Sequence, residues 1–192
     1  NTARLLRVIV HKNGDSYTVE QLQSLAATLD LFRKRGLTPD KLRGSENDAL
    51  AAQVDRIEPM FAYARKIVVM DDTPMADRLA AVALLGRDTA GRDGNVKQLA
   101  QLLAPTTPLD VQTAAIDAVL RSGHAEGPKR VMAEWSTRSP ALRTAILDGL
   151  LSRNAWAMQL LDAIDAESIP AGDLSASHIE RMTSSRDKAL AK

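Results

Sequence analysis

From residue 18 onward, apolar side chains recur at the 3.6-residue period of amphipathic helices. Leu22, Leu25, Ala26, Leu29 and Phe32 share one face. Thr18 and Gln21, just ahead of them, have the spacing of a capping box, in which a hydroxyl and an amide satisfy exposed N–H groups reciprocally. Gly36 supplies the stop. A second stretch from about Asp48 places Leu50, Val54, Ile57, Phe61 and Ala64 on one face. Pro59 predicts a kink or a restart within it, because proline removes a backbone donor and clashes with the preceding turn. Residues 1–15 hold one short apolar run, Val8-Ile9-Val10, followed by the turn-like Asn13-Gly14-Asp15. The expectation there is a short strand or the remnant of an upstream domain.

From residue 73 a repeat sets in. Thr73-Pro74, Thr107-Pro108 and Ser139-Pro140 each put a hydroxyl before a proline, predicting a side-chain cap and a first helical position. The spacing from 73 to 107 is 34 residues and from 107 to 139 it is 32, in the range of helical-hairpin repeats. Thr38-Pro39 lies 35 residues before Thr73, but the segment after it does not match the pattern. Behind the three caps, Arg78, Gln112 and Arg143 hold one place, and Ala80, Ala114 and Ala145 the place two residues on. Ala81, Ala115 and Ile146 come next, then Val82, Ile116 and Leu147, and finally Leu85, Val119 and Leu150. The small residues predict close helix approach and the larger ones a buried seam. Each helix runs to a stop at Gly86, at Gly123 or at Asn154 acting as the cap of the next helix, and a second amphipathic stretch comes after it: Val96–Leu103, Lys129–Trp135 and Ala155–Ile164.

One such hairpin cannot bury its own apolar face, so the units are expected to stack. The expected fold is all-α: a right-handed α-α superhelix of HEAT-like or armadillo-like repeats, with about three regular hairpins. A compact irregular bundle whose helices share capping rules is the alternative. The expected segments are 1–72 for irregular N-terminal helices, 73–166 for the repeats and 167–192 for the start of a further repeat. The chain opens on Asn1 rather than Met, without a signal peptide, and closes in the helix-like stretch Asp187–Lys192. A piece excised from something longer is expected.

Composition narrows the function more than the fold. Hydrophobic residues make up 45% and charged residues 26% of the 192, the balance of a globular chain rather than a disordered one. Aromatics at 3% leave a core to be packed from aliphatic side chains, which suits closely spaced helices. The net charge of +1 lacks the concentrated positive excess of a duplex-binding domain. Arg33-Lys34-Arg35 sits before Gly36 and reads as a helix end complementing the dipole. No apolar run approaches the length of a membrane span.

No catalytic, cofactor or metal residue is expected. With no cysteine, disulfides, thiolate zinc and covalent haem attachment within this chain are excluded. His11, His124 and His178 are far apart, have no metal-ligand spacing and read as surface histidines, with His178 in a first helical turn. Asp71 and Asp72 read as helix-entry residues without calcium-loop spacing. Gly91, Arg92, Asp93 and Gly94 carry no phosphate-binding fingerprint, and Arg87–Gly94 reads as a mobile hairpin turn. No serine motif resembles a nucleophile elbow. Trp135 and Trp156 fall at core-like helical spacing, which favours packing over an aromatic platform.

The run LLDAIDAESIPAGDLSASHIERM, residues 160–182, resembles the segment closing the helical-repeat region of large bacterial membrane-bound dehydrogenase-type, haem-binding multidomain proteins of the planctomycete kind. Leu160-Leu161-Asp162-Ala163-Ile164 matches the last helix of a hairpin there. Ile169-Pro170 and Asp173-Leu174-Ser175 match the next turn and cap. The stretches Arg33-Lys34-Arg35-Gly36-Leu37 and Arg78-Leu79-Ala80-Ala81 are similar as well. The resemblance implies a position between a sorbosone-dehydrogenase-like β-propeller and a cytochrome-c-like haem domain, and a cell-envelope, periplasmic or secreted location. The CxxCH motif of the haem domain is absent here, so neither dehydrogenase activity nor haem transfers to a residue of this chain.

The expected function is therefore a non-catalytic scaffold or spacer of a larger, redox-related protein. Its partners would be neighbouring domains or another protein, with no nucleic acid and no direct membrane insertion. Two alternatives stand beside it. A HEAT-like DNA glycosylase would need a basic, aromatic-bearing groove. A stand-alone protein–protein adaptor would need no redox neighbours.

Overall fold

The structure is a computed structural model that describes residues 2–12, 14–44 and 48–184. Asn13 of the expected turn and the stretch Asp187–Lys192 lie outside the described residues. Among the described residues the regular secondary structure is helical, without a β-strand. The chain divides into two compact units, Asn1–Asn95 and Val96–Lys192. The division follows contact density, a different criterion from the repeat pattern that set the expected boundaries at 73 and 167.

The first unit opens with α1 (Thr2–Ile9) and α2 (Val19–Lys34). The strand expected at Val8-Ile9-Val10 is instead the last turn of α1, with Leu6 and Ile9 buried on one face. The reason is periodic. Leu5, Leu6, Val8 and Ile9 alternate with Arg4 and Arg7 at helical spacing, a pattern that the three-residue apolar run conceals. The capping box of α2 forms as expected, Gln21 Oε1 accepting from the Thr18 N–H at 2.9 Å. Gln21 does more, since its Nε2 donates to the Ile9 and His11 carbonyls at 3.0 and 2.6 Å and so closes the end of α1. Leu22, Leu25, Ala26, Leu29 and Phe32 are all buried, and Gly36 ends the helix with a left-handed φ of 68°.

Short α3 (Pro39–Arg43) is capped by the Thr38 hydroxyl, which accepts from the Lys41 N–H at 3.2 Å. The stretch from Asp48 is two helices, α4 (Asp48–Val54) and α5 (Ile57–Ile67). Pro59 is the third residue of α5, where its missing donor has no intrahelical acceptor to lose, so it restarts a helix rather than kinking one. Next come α6 (Met75–Leu85) and α7 (Arg92–Gln101). Helix α6 packs against both α2 and α5, while α1 lies against α2 and α4.

The second unit contains α8 (Leu109–Arg121), α9 (Gly127–Met132), α10 (Pro140–Leu150), α11 (Asn154–Asp165) and α12 (Ala176–Thr183). Helix α9 is shorter than the expected 129–135. Glu134 takes a left-handed φ of 55° and Trp135–Thr137 form a 3-10 turn. Helix α8 packs on α9 and α10, and α11 on α9 and α10. Gly149 lets α10 approach α8, since a Cβ there would stand 2.6 Å from Leu120 Cδ1. Gly123 closes the turn after α8 at φ 67°. Asn154 is the first residue of α11, and Arg153 takes the extended N-cap position.

Helices α6, α8 and α10 differ from expectation at their starts. For α6 and α8 the N-cap is Pro74 or Pro108 itself, with no side-chain cap, and Thr73 Oγ1 donates to the Ile67 carbonyl at 2.8 Å instead. In α10 Ser139 is the N-cap and accepts from the Leu142 N–H at 3.3 Å. An extended proline ψ near 141° in α6 and α8 moves the helix start one residue on. Arg78, Gln112 and Arg143 thereby fall at one position, four residues after the N-cap.

That position sends a donor back to the end of the preceding helical segment each time. Arg78 Nε donates to the Val68 carbonyl at 2.9 Å, just past α5. Gln112 Nε2 donates to the Leu103 and Ala104 carbonyls at 3.3 and 2.7 Å, just past α7. Arg143 Nη2 donates to the Ser136 carbonyl at 3.2 Å in the 3-10 turn. Terminal carbonyls have no intrahelical partner, so each is satisfied from the next helix. Beyond this position, Ala81, Ala115, Ile146, Val82, Ile116, Leu147, Leu85, Val119 and Leu150 are all buried. Ala80 is buried as well, whereas Ala114 and Ala145 are only half-buried.

The expected hairpin turn over Arg87–Gly94 is shorter and built around a buried carboxylate. Residues 92–94 already belong to α7. Asp88, 4% exposed, accepts from the Ala90 and Gly91 N–H groups at 3.0 Å each, from Asn95 Nδ2 at 2.9 Å and from Arg65 Nη1 at 3.1 Å. A Cβ at Gly91 would overlap the Asp88 carboxylate, whereas one at Gly94 meets nothing within 4 Å. Because four donors hold Asp88, it cannot yield. Gly91→Ala should destabilise the first unit by about 1–3 kcal/mol, and Gly94→Ala, in the first turn of α7, should stabilise it by about 0.4–1 kcal/mol. Urea unfolding of the two variants checks the opposite signs.

Candidate functional site

The side chains singled out in the sequence are not brought together. His11 is exposed and His124 half-buried, its Nδ1 accepting from the Glu126 N–H at 3.1 Å. His178 departs from the surface role expected for it: it is 4% exposed. It completes a capping box at the start of α12, with Nδ1 accepting from the Ser175 N–H at 3.2 Å and Nε2 lying 3.5 Å from Asp148. A histidine replaces the usual Glu or Gln of that motif, which is why its spacing does not announce a cap. Asp71 and Asp72 are exposed in the turn before α6. Arg33 and Lys34 occupy the last turn of α2 and Arg35 its C-cap. Among the described residues no three His, Asp or Glu side chains form a group able to hold a metal, and no helix is long and apolar enough to cross a membrane.

Both tryptophans are buried, Trp135 at 5% and Trp156 at 9% exposure. Trp135 Nε1 donates to Asp173 Oδ2 at 2.6 Å, and Arg143 Nη1 donates to the same oxygen at 3.1 Å with its guanidinium 5.7 Å from the indole centroid. Arg153 stacks over Trp156 at 4.1 Å. These rings are held by packing, hydrogen bonding and cation–π attraction.

A concave feature of the second unit lies where α8 and α10 begin. It is a cleft of about 370 Å³ whose apolar lining is Leu103, Pro105, Leu109 and Leu142. Its polar lining is Thr107, Gln112, Thr137, Arg138 and Ser139, so Arg138 is the one charged side chain among them. Arg138 is 6% exposed. Its Nη1 donates to the Leu103 carbonyl and its Nη2 to the Ala133 carbonyl at 3.0 Å, while Nε has no partner within the protein. The nearest carboxylate, Glu134, lies at 3.5 Å and its side chain is 71% exposed. Burial pushes the Arg138 pKa down from the ordinary guanidinium value, with Glu134 pulling it up. It remains charged at neutral pH, since arginine starts so high.

Helix α8 starts without a side-chain cap, so its first N–H groups lack a side-chain acceptor, and Asp110 in its first turn, outside the cleft lining, offsets part of their positive charge. Arg138 is the residue of this cleft that sequence reasoning missed. The available signal is its place directly before the Ser139-Pro140 helix start, where a cation opposes the dipole and therefore needs a reason of its own.

No family model, curated protein or solved structure matches the chain.

The Leu103 carbonyl accepts from two side chains, Gln112 and Arg138. Either Gln112→Leu or Arg138→Met alone leaves it one donor. The double variant leaves it bare and buried, so its loss of stability should exceed the sum of the single losses by about 1 kcal/mol. A double-mutant cycle by chemical denaturation reads this coupling directly. An additive result would mean that the shared acceptor does not matter.

Proposed function

We propose that this chain is a non-catalytic helical scaffold, a HEAT-like repeat module that positions neighbouring domains of a larger, redox-related protein or docks a protein partner. The observation that carries the reading is the repeated backward donor from Arg78, Gln112 and Arg143 to the preceding helical segment. A donor one turn into a helix reaches the previous helix end only when the two hold a fixed offset, which is what a stacked array needs at each unit. Within the second unit, the packing of α8 on α10 and α9 on α11 supports the same reading, since like helices of successive hairpins lie together in such arrays. The resemblance of residues 160–182 supplies the redox context and no residue-level chemistry.

A rigid spacer fixes the separation of its neighbours, whereas a flexible linker only confines them. Replacing this chain by a Gly/Ser linker of equal length in the full-length protein should lower electron transfer between the flanking domains at least about ten-fold. Unchanged transfer and unchanged stability would remove the positioning role. Flanks without a propeller or a CxxCH motif would favour the adaptor form of the proposal. Duplex DNA should give no mobility shift at low salt, because the net charge of +1 and two buried tryptophans leave little to neutralise phosphate or stack on bases.

A further inference from the structure

If the chain docks a partner, the cleft beside Arg138 specifies that partner's chemistry. Among the described residues, two neutral carbonyls and an exposed, water-screened Glu134 face a guanidinium 6% exposed. Such a cation is under-neutralised, because desolvation removes more stabilisation than neutral acceptors return. Thr107 and Leu109, at the uncapped start of α8, line the same space, and orphan N–H groups there add donors suited to an anion. No acidic side chain lines the cleft. The apolar part of the lining and a volume of about 370 Å³ exceed what a lone inorganic anion fills and suit a side chain with its stem and an apolar neighbour. One cation and one helix start match a single negative charge better than a phosphate dianion, which ordinarily collects several charge-assisted donors.

We propose that this cleft takes the carboxylate of an acidic side chain from a partner polypeptide, set over Arg138 and the start of α8, with an adjacent apolar side chain against Leu103, Leu109 and Leu142. The proposal rests on the docking-module reading and adds the partner's recognition element to it.

The test is an NMR titration of the full chain with two peptides, acetyl-Leu-Glu-amide and acetyl-Leu-Gln-amide, and with inorganic phosphate. The glutamate peptide should shift amides within residues 103–112 and 137–142 and saturate on the order of 1 mM, with the glutamine peptide at least about ten-fold weaker. Leu109→Glu places a like charge at the cleft mouth, on a side chain 46% exposed, while suiting a helix start. It should keep the melting temperature and lose about ten-fold in affinity for the glutamate peptide. Equal binding of the two peptides, shifts elsewhere on the chain, or an unaffected Leu109→Glu variant would each overturn the proposal. Phosphate binding tighter than the glutamate peptide would replace the carboxylate by a phosphate ligand and overturn it too. None of these outcomes bears on the linker replacement, which tests the scaffold reading without using the cleft.

Discussion

A helix that ends in a protein leaves carbonyl groups without an intrahelical partner, and in this chain the next helix along supplies donors to them, in buried bonds at Val68 and Leu103 and in an exposed one at Ser136. Arg78, Gln112 and Arg143 stand four residues after the N-cap of α6, α8 and α10, and each donates to a carbonyl at the end of the preceding segment. Leaving a buried acceptor such as Val68 or Leu103 bare costs roughly 1–3 kcal/mol, so the turn there is tied to one geometry. The apolar seam beside it attracts without direction. Val82, Ile116 and Leu147 are buried in equivalent places, yet aliphatic contacts alone would tolerate sliding by part of a turn. The directional bond selects among those arrangements. Arginine and glutamine serve equally because the acceptor is neutral and asks only for an N–H.

The same logic runs through the rest of the fold, and the composition explains why. With aromatics at 3%, few large rings are present to key one helix into another. Single polar side chains take over that role. Gln21 joins its own capping box to the end of α1, Asp88 gathers the turn before α7, and Asp173 holds both Trp135 and Arg143. Gly149 contributes by omission, since its bare Cα gives Leu120 room between α10 and α8.

This division of labour also decides what is legible in the order of amino acids. Apolar periodicity is written locally, so the buried face of α2, its capping box and the seam of the repeat helices can be read from the residues alone. Local windows mislead where a run is short. Val8-Ile9-Val10 suggests a strand until Leu5 and Leu6 are counted with it, and Thr73 and Thr107 look like caps until the proline ψ is known. The recurrence of Arg78, Gln112 and Arg143 is visible as a pattern, but its purpose is not, because the acceptors lie ten, nine and seven residues back on another element. His178 and Arg138 stay hidden for the same reason: burial of a polar side chain is a property of its neighbours in space.

The cleft beside Arg138 follows from that packing rather than being added to it. Arg143 and Arg138 lie close in sequence and both donate to backbone carbonyls, yet their charges are handled differently. Arg143 shares Asp173 with Trp135, the arginine and aspartate side chains each being 26% exposed, so its charge is balanced within the protein. Among the carboxylates of the described residues Arg138 pairs with Glu134, which extends into water and is screened there. Using a cation where a neutral donor would suffice leaves a residual field, and the field matters where solvent-sized space adjoins it. At Arg138 that space is the cleft at the start of α8. A side chain recruited to fix the turn before α10 thus also marks the place on this unit where an incoming negative charge is favoured.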